Sequence, residues 1–300
     1  MSRITSRLLA LAVGLGLPAA AMAQGLGWDS WWSEDSEGTS TARAGASWQA
    51  RREAPDRWWG LNAERARYRG EGWDVGENRL FLRGAGHLGG WRWSGRLGGN
   101  GETWLGEGTL YREGPSRTEF FLERDRLDTR RGALEGRYQT FLGLAQDWPV
   151  GDRLTFTGVA GWQDFTGGNQ RRHLRGTASL VLSETQGIST QLRTRWFADS
   201  APERADYFAP GEYAEALATL VWSRRLHGLR ARVVLGAGQR KVQGGGREPA
   251  RLAEGLLETP AWKEGLRFRL RLGYTDAPQA AAGGPDYRFR YAAFEGSLPL

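Results

Sequence analysis

The chain has 300 residues, a formal net charge of +7, 44 glycines, 15 tryptophans and no cysteine. Glycine at about twice the ~7% average, beside only 40% hydrophobic residues, excludes a helical membrane protein and an ordinary α/β enzyme. The lack of cysteine excludes a disulfide framework, a thiolate metal site and a cysteine nucleophile.

Arg3 and Arg7 precede an apolar run over residues 8–17, Pro18 breaks it, and small residues fill 19–23. That order predicts a secretory signal over residues 1–23, cleaved after Ala23, with residues 24–300 forming one exported domain. The run is short of the ~20 residues of a spanning helix, and no later stretch reaches that length. Without the signal the charge falls to +5, divided as −1 over residues 24–150 and +6 over 151–300. The basic residues are nearly all arginine, since Lys241 and Lys263 are the only lysines. A basic chain raises nucleic acid as a partner, but an exported chain does not meet it, so that class is set aside.

From residue 24 onward the apolar period is two, the signature of half-buried strands. Ala42, Ala44, Ala46, Trp48 and Ala50 alternate with Arg43, Gly45, Ser47, Gln49 and Arg51. The G-x-G-x-x-G match at 84–89 is followed by another strand pattern instead of a helix, which makes it a glycine-rich hairpin and not a dinucleotide site. Trp91, Trp93, Gly95 and Leu97 then oppose Arg92, Ser94 and Arg96. The acidic stretch 119–125 could supply a carboxylate pair, and its simpler reading is a salt-bridged wall. Further on, Leu154, Phe156, Gly158, Ala160 and Trp162 share one face, as do Leu266, Phe268, Leu270, Leu272 and Tyr274, with Arg267, Arg269 and Arg271 on the other. The last segment slips phase between Tyr287, Phe289 and Tyr291 and the later Phe294 and Leu298, which predicts a bulge near Ala292.

About sixteen segments follow, starting near residues 27, 41, 58, 78, 89, 102, 117, 132, 152, 171, 188, 212, 228, 250, 263 and 286, separated by glycine-rich turns. A soluble sandwich would interlock Val and Ile, yet the chain has only Ile4 and Ile188. The predicted fold is therefore all-β: a transmembrane antiparallel β-barrel of 12–16 strands, most simply sixteen, with charge inside and aromatic girdles at the rims drawn from Trp58, Trp59, Trp91, Trp104, Trp162, Trp222 and Tyr274. Outer-membrane lipid is then the surrounding partner.

Chemical motifs are few. His87, His173 and His227 are far apart and each lies near a turn, so no metal site, catalytic residue or cofactor is predicted from them. A barrel hydrolase using one of these histidines with a nearby Ser, Asp or Glu stays as an alternative. The feature above background is a ladder of arginines on the charged face of the second half: Arg175, Arg193, Arg195, Arg230, Arg232, Arg267, Arg269 and Arg271. Guanidinium forks hold carboxylate, phosphate and sugar hydroxyls, and rings of them favour anions. Against this stands bracing by Glu102, Glu107, Glu119, Glu123 and Glu135 across the lumen, in a structural or adaptor barrel whose bore is occluded.

Tyr207, Phe208, Pro210 and Tyr213, followed by strand patterns over 214–225 and 228–242, resemble the C-terminal barrel of the bacterial exopolysaccharide export porins, of the poly-N-acetylglucosamine and cellulose export type. The resemblance covers about residues 188–242. It implies a sixteen-stranded outer-membrane pore that passes a polysaccharide or anionic solute. The family's periplasmic repeats are not found between Gln24 and Ala42, which implies a separate periplasmic repeat protein as partner. The ending Leu298-Pro299-Leu300 also departs from the usual terminal aromatic.

Overall fold

The computed structural model describes residues 25–54, 56–260, 265–276 and 287–300, without the side chains of 51–53. The predicted signal and the turn signal at Gly283, Gly284 and Pro285 lie outside the described residues. Sixteen strands follow one another: β1 (Gly25–Asp35), β2 (Ser40–Ala54), β3 (Arg57–Gly70), β4 (Trp73–Leu88), β5 (Trp91–Gly99), β6 (Trp104–Arg112), β7 (Thr118–Arg126), β8 (Tyr138–Val150), β9 (Leu154–Phe165), β10 (Asn169–Ser183), β11 (Ile188–Asp199), β12 (Tyr213–Leu226), β13 (Leu229–Val242), β14 (Arg247–Glu258), β15 (Arg267–Thr275) and β16 (Phe289–Pro299). Each pairs antiparallel with its neighbours, and β1 pairs with β16, so the sheet closes into a barrel without an edge.

The closure follows from the two-residue period. Leu61, Leu80, Leu82, Trp93, Leu97, Leu122, Leu142, Leu192, Leu235 and Leu272 are exposed, whereas Asn62, Glu64, Arg79, Asp125, Arg171 and Arg240 are buried. Register puts the two sets on opposite faces: Leu82 pairs with Leu97 outside, and Glu64 with Arg79 inside. A closed wall that buries charge and exposes leucine is the reverse of a water-soluble domain. The apolar outer face meets the demands of a hydrocarbon solvent, where each backbone polar group must be satisfied inside the wall.

The two ends differ. At one end lie both described termini and mostly tight turns; one is made by His227 and Gly228 at φ 51° and 85°, a mirror-image turn whose twist matches the strands it joins. At the other end lie the long connections 127–137 and 200–212. The first contains the short helix α1 (Arg130–Glu135), capped by Thr129 Oγ1, which accepts from Gly132 N at 2.9 Å, and closed by Gly136 in the left-handed region.

Three sequence expectations are corrected here. The segment expected from residue 132 begins at Tyr138, because α1 occupies the preceding turn. The bulge expected near Ala292 is absent: β16 keeps continuous register with both neighbours. The phase slip has another cause, since Tyr291 faces inward and stacks on Trp31 at 4.9 Å while Phe294 and Leu298 face out. Register shifts occur instead in β2, between Gln49 and Ala54, and in β10, between Val181 and Ser183. Finally, Trp58 is not a girdle residue; it pairs with Ala85 on the inner face, where the Arg83 guanidinium lies 5.2 Å from its ring. Its neighbour Trp59 is exposed on the outside.

Candidate functional site: the barrel lumen

Because inner positions recur every second residue, the lumen wall can be read strand by strand. Arg175 on β10 pairs with Arg195 on β11, and Arg195 with Glu215 on β12. Arg230 and Arg232 on β13 pair with Glu258 and Leu256 on β14, and Arg269 and Arg271 on β15 with Glu295 and Ala293 on β16. Arg193 and Arg267 hold equivalent positions, opposite Leu217 and Ser297. All eight arginines thus lie on the sheet face that carries the buried Tyr213, Val234 and Arg240.

Their partners come from their own half of the barrel. Arg193 reaches Glu254 at 3.4 Å, Arg195 reaches Glu215 at 3.2 Å, and Glu295 takes both Arg269 and Arg271 at 3.3 and 2.6 Å. Of the five acids expected to brace them from the first half, four are engaged elsewhere, Glu102 with Arg126, Glu107 with Arg96, Glu119 with Arg117, and Glu135 with Arg131 and Arg137, and Glu123 has no ion pair among the described residues. Among the described residues Arg175, Arg230, Arg232 and Arg267 have no ion pair. The inner face is therefore divided, with a neutralised first half and a basic second half whose cations are only partly matched.

Sequence reasoning missed two buried networks near the end with the long loops. In the first half, Arg79, whose side chain is 1% exposed, sits between Glu64 at 3.0 Å and Asp125 at 3.0 Å and also contacts Glu77. Arg96 reaches Glu64 at 2.9 Å, and Arg126 reaches Glu77 at 2.9 Å and Glu102 at 3.0 Å. Arg43 on β2 spans to Asp125 at 2.7 Å, five strands away on β7, and to Asp128 at 3.4 Å. The stretch 119–125 is thus a salt-bridged wall, with Asp125 clamped between two guanidinium groups. Helix α1 rests on the same quadrant, where Ala133 packs with Ala66 and Tyr68.

The second network holds the residues of the family resemblance. Arg171 is buried with Nε at 3.0 Å from both carboxylate oxygens of Asp199, and it donates to the backbone carbonyl of Phe208. Its guanidinium lies 4.5 Å from the Phe197 ring, 5.2 Å from Phe165 and 5.9 Å from Tyr207. Tyr207 stacks on Phe165 at 4.5 Å and its hydroxyl accepts from Asn169 Nδ2 at 2.9 Å. Burial pushes the Tyr207 phenol up to about 12, beyond the ordinary tyrosine range. The Pro210 carbonyl accepts from Asp199 N at 3.2 Å, and Tyr213 stacks on Phe197 at 4.7 Å while donating to Glu215 at 2.7 Å. Tyr207, Phe208, Pro210 and Tyr213 are therefore one cation–aromatic clamp that holds connection 200–212 to the inner wall. Asp206 joins that connection to α1 by accepting from Arg131 N at 2.9 Å. Arg171 and Asp199 stand at inner positions of the period, Arg171 two residues into β10 and Asp199 at the end of β11 that leads into the motif, and that placement was the available signal.

The histidines stay apart. His87 Nε2 lies 2.8 Å from Asp56 Oδ2 at the end with the tight turns, His173 bonds Gln163 at 2.8 Å inside the wall, and His227 occupies a turn. Among the described residues no group of three His, Asp or Glu is placed to hold a metal.

No family model and no curated protein matches the chain. Among solved structures it is similar to one described as a bacterial polysaccharide outer membrane secretin, at 11% identity over 92% of this chain and 98% of that one, with a TM-score of 0.64. It also matches Acinetobacter baumannii OccAB3 at 10% identity (92% and 98% covered, TM-score 0.45) and the KdgM porin in complex with disordered oligogalacturonate at 7% identity (90% and 97% covered, TM-score 0.39). In fold, the chain is a closed sixteen-stranded antiparallel barrel of the kind found in outer-membrane porins.

Proposed function

We propose that the chain is an outer-membrane barrel forming a hydrated, arginine-lined pore for the export or passage of a polysaccharide or anionic solute. The observation that carries this reading is the inverted polarity of the wall, with exposed leucines outside and charged side chains inside, including four arginines without an ion pair among the described residues. The signal at residues 1–23 directs export. The end with tight turns and the described termini faces the periplasm, and the long connections face outward.

A sixteen-stranded barrel is wide enough for water and a polar polymer unless loops fill it. Arg175, Arg193, Arg195, Arg230, Arg232, Arg267, Arg269 and Arg271 line the basic half. They offer many weak contacts to hydroxyl or acid groups, which suits passage better than one tight site. The fold likeness to a polysaccharide outer membrane secretin supports a polymer as the cargo. Directional export draws on polymer synthesis behind the pore, delivered by a separate periplasmic repeat protein. Purified barrel in planar bilayers gives discrete conductance steps on this reading.

A second reading has one observation in its favour. The Arg43 bridge to Asp125 and Asp128 spans from β2 to β7 on the inner side of the wall, and the bond from Arg131 N to Asp206 ties connection 127–137 to connection 200–212. A structural or adaptor barrel with an occluded lumen would insert normally and give no conductance steps.

A further inference from the structure

The first half of the inner wall carries a trough to which the arginine ladder contributes nothing. Two neighbouring rows of inward positions, followed across the strands, build it. The first row runs from Arg83 through Arg96 and Glu107 to Glu123. The second runs from Trp58 through Ala85, Ser94 and Thr109 to Phe121, so three small side chains form a floor between two aromatic ends. Neighbouring strands stand about 4.8 Å apart, which puts the two ends roughly 19 Å apart along the wall. The cavity over this floor holds about 320 Å³ and is bounded by Trp58, Arg83, Arg96, Glu107, Phe121 and Glu123. That size lies at the lower end of the range for small-molecule sites.

Phe121 lies flat. Its ring covers Gly143, the residue directly opposite on β8, where a Cβ atom would collide with it, so glycine lets the ring rest on the wall with its other face toward the bore. Glu123 is exposed and directly opposes Glu107. Arg96 holds Glu107 at 3.1 Å, whereas Glu123 has no ion pair or hydrogen bond among the described residues. The cations that face it are committed to other carboxylates, Arg96 also to Glu64 at 2.9 Å and Arg43 to Asp125 and Asp128. On the floor, Ser94 and Thr109 share one hydrogen bond at 2.9 Å, which leaves one hydroxyl hydrogen and further lone pairs for a ligand.

The two guanidinium groups and two carboxylates of the first row cancel in charge. An ion of either sign meets repulsion as well as attraction there, while an uncharged ligand rich in hydroxyls accepts from Arg83 and Arg96 and donates to Glu107 and Glu123. Phe121 adds a demand for an apolar face. A pyranose ring meets both, with hydroxyls round its edge and C–H groups on its faces. We propose that the trough is a binding subsite for uncharged hexose units of a sugar chain, with Phe121 as the platform for a ring face and Glu123 as acceptor for its hydroxyls. Strands of such barrels tilt by about 35–45°, so the trough runs obliquely down the bore and a passing chain can follow it. The proposal rests on the pore reading above and names the unit that the first half of the wall takes.

The test titrates the whole folded barrel in detergent with cellohexaose and maltohexaose, and in parallel with the hexamers of glucosamine and galacturonate, by saturation-transfer NMR. A neutral hexamer is expected to bind, with a Kd raised about tenfold by F121A and by E123A, the size of one aromatic contact or one charged hydrogen bond, and restored in F121Y. Absence of binding by both neutral hexamers overturns the proposal, as does a Kd that neither variant moves. A charged hexamer that binds more tightly than the neutral ones, and loses more in F121A and E123A, overturns the assignment of an uncharged ligand. Heat-modifiable migration shows that each variant is folded. Planar-bilayer recordings separate the two readings: conductance steps without sugar binding remove the trough alone, and sugar binding without conductance steps supports the trough and removes the pore.

Discussion

Replacing Arg171 by Met removes the centre of the clamp that holds connection 200–212. The Arg171 side chain is 3% exposed and that of Asp199 fully buried, so the change leaves a carboxylate inside the wall with Asn169 Nδ2, at 2.7 Å, as its remaining side-chain donor. Breaking a buried pair by removing one partner costs about 3–5 kcal/mol. The cost falls first on the connection, because β10 and β11 stay paired over the rest of their length. At about tenfold per 1.4 kcal/mol, opening of 200–212 becomes roughly 10² to 10³ times more frequent. Hydrogen exchange reads this at Ala201 N, bonded to Asn169 Oδ1 at 3.0 Å, and at Arg204 N, bonded to the Ala201 carbonyl at 3.2 Å. The double variant R171M/D199N removes the stranded charge as well, and recovers most of the lost protection. Unchanged exchange at both amides in R171M would refute the clamp, as would a double variant that opens as readily as the single one.

Other consequences are open to measurement. Leu97→Arg puts a cation on the exposed outer face at mid-wall and lowers folding stability in lipid by about 2–4 kcal/mol in urea titrations, whereas Ser179→Arg, on the inner face, costs far less. An equal loss for the two variants would mean the faces are assigned wrongly. Absorbance titration of wild type minus Y207F isolates one phenol that ionises near 12. Its folded pKa lies above the unfolded value of about 10, so its support for connection 200–212 is complete below pH 10 and fades as pH rises toward 12. A midpoint near 10 would place Tyr207 in solvent. Breaking the Arg79 hub with R79M leaves Glu64 with Arg96 alone and Asp125 with Arg43 alone, and costs less than the ~3–5 kcal/mol of a buried pair left with no partner, read from heat-modifiable gel shifts across temperature.

Much of the barrel was legible because its period is two almost everywhere. The outer rows Ala42, Ala44, Ala46 and Trp48, and Phe268, Leu270, Leu272 and Tyr274, read the same in sequence and in register. The glycine-rich 84–89 stretch ends β4 and turns at Gly89 and Gly90, as its surroundings implied. The errors arose where hydrophobicity stopped reporting the face. Tyr291 and Trp58 are aromatic yet point inward, since a lumen can also be lined by rings that stack on Trp31 or lie under Arg83. The short α1 is set by its Thr129 cap and Gly136 and has no apolar stripe to betray it.

The lumen was less legible. Alternation assigns a side chain to a face but says nothing of which strand it meets across the bore. Arg43 meets Asp125 across five strands, a pairing that depends on barrel curvature. The expected bracing of the arginine ladder by first-half glutamates failed for the same reason, since the ion pairs of the ladder form within the second half, as between Arg193 and Glu254. The resemblance at Tyr207, Phe208, Pro210 and Tyr213 marked a structured place, but the motif alone did not reveal that Arg171 organises it.

The central claim, that an open lumen lined by the basic second half passes polar or anionic solutes, is tested most directly by the reversal potential of single channels in a tenfold potassium chloride gradient. Wild type shifts toward the chloride limit of about 59 mV, and R230Q/R232Q/R267Q, which removes three inward cations without ion pairs, moves back toward zero. A wild-type channel that prefers potassium, or a triple variant with unchanged selectivity, would contradict it.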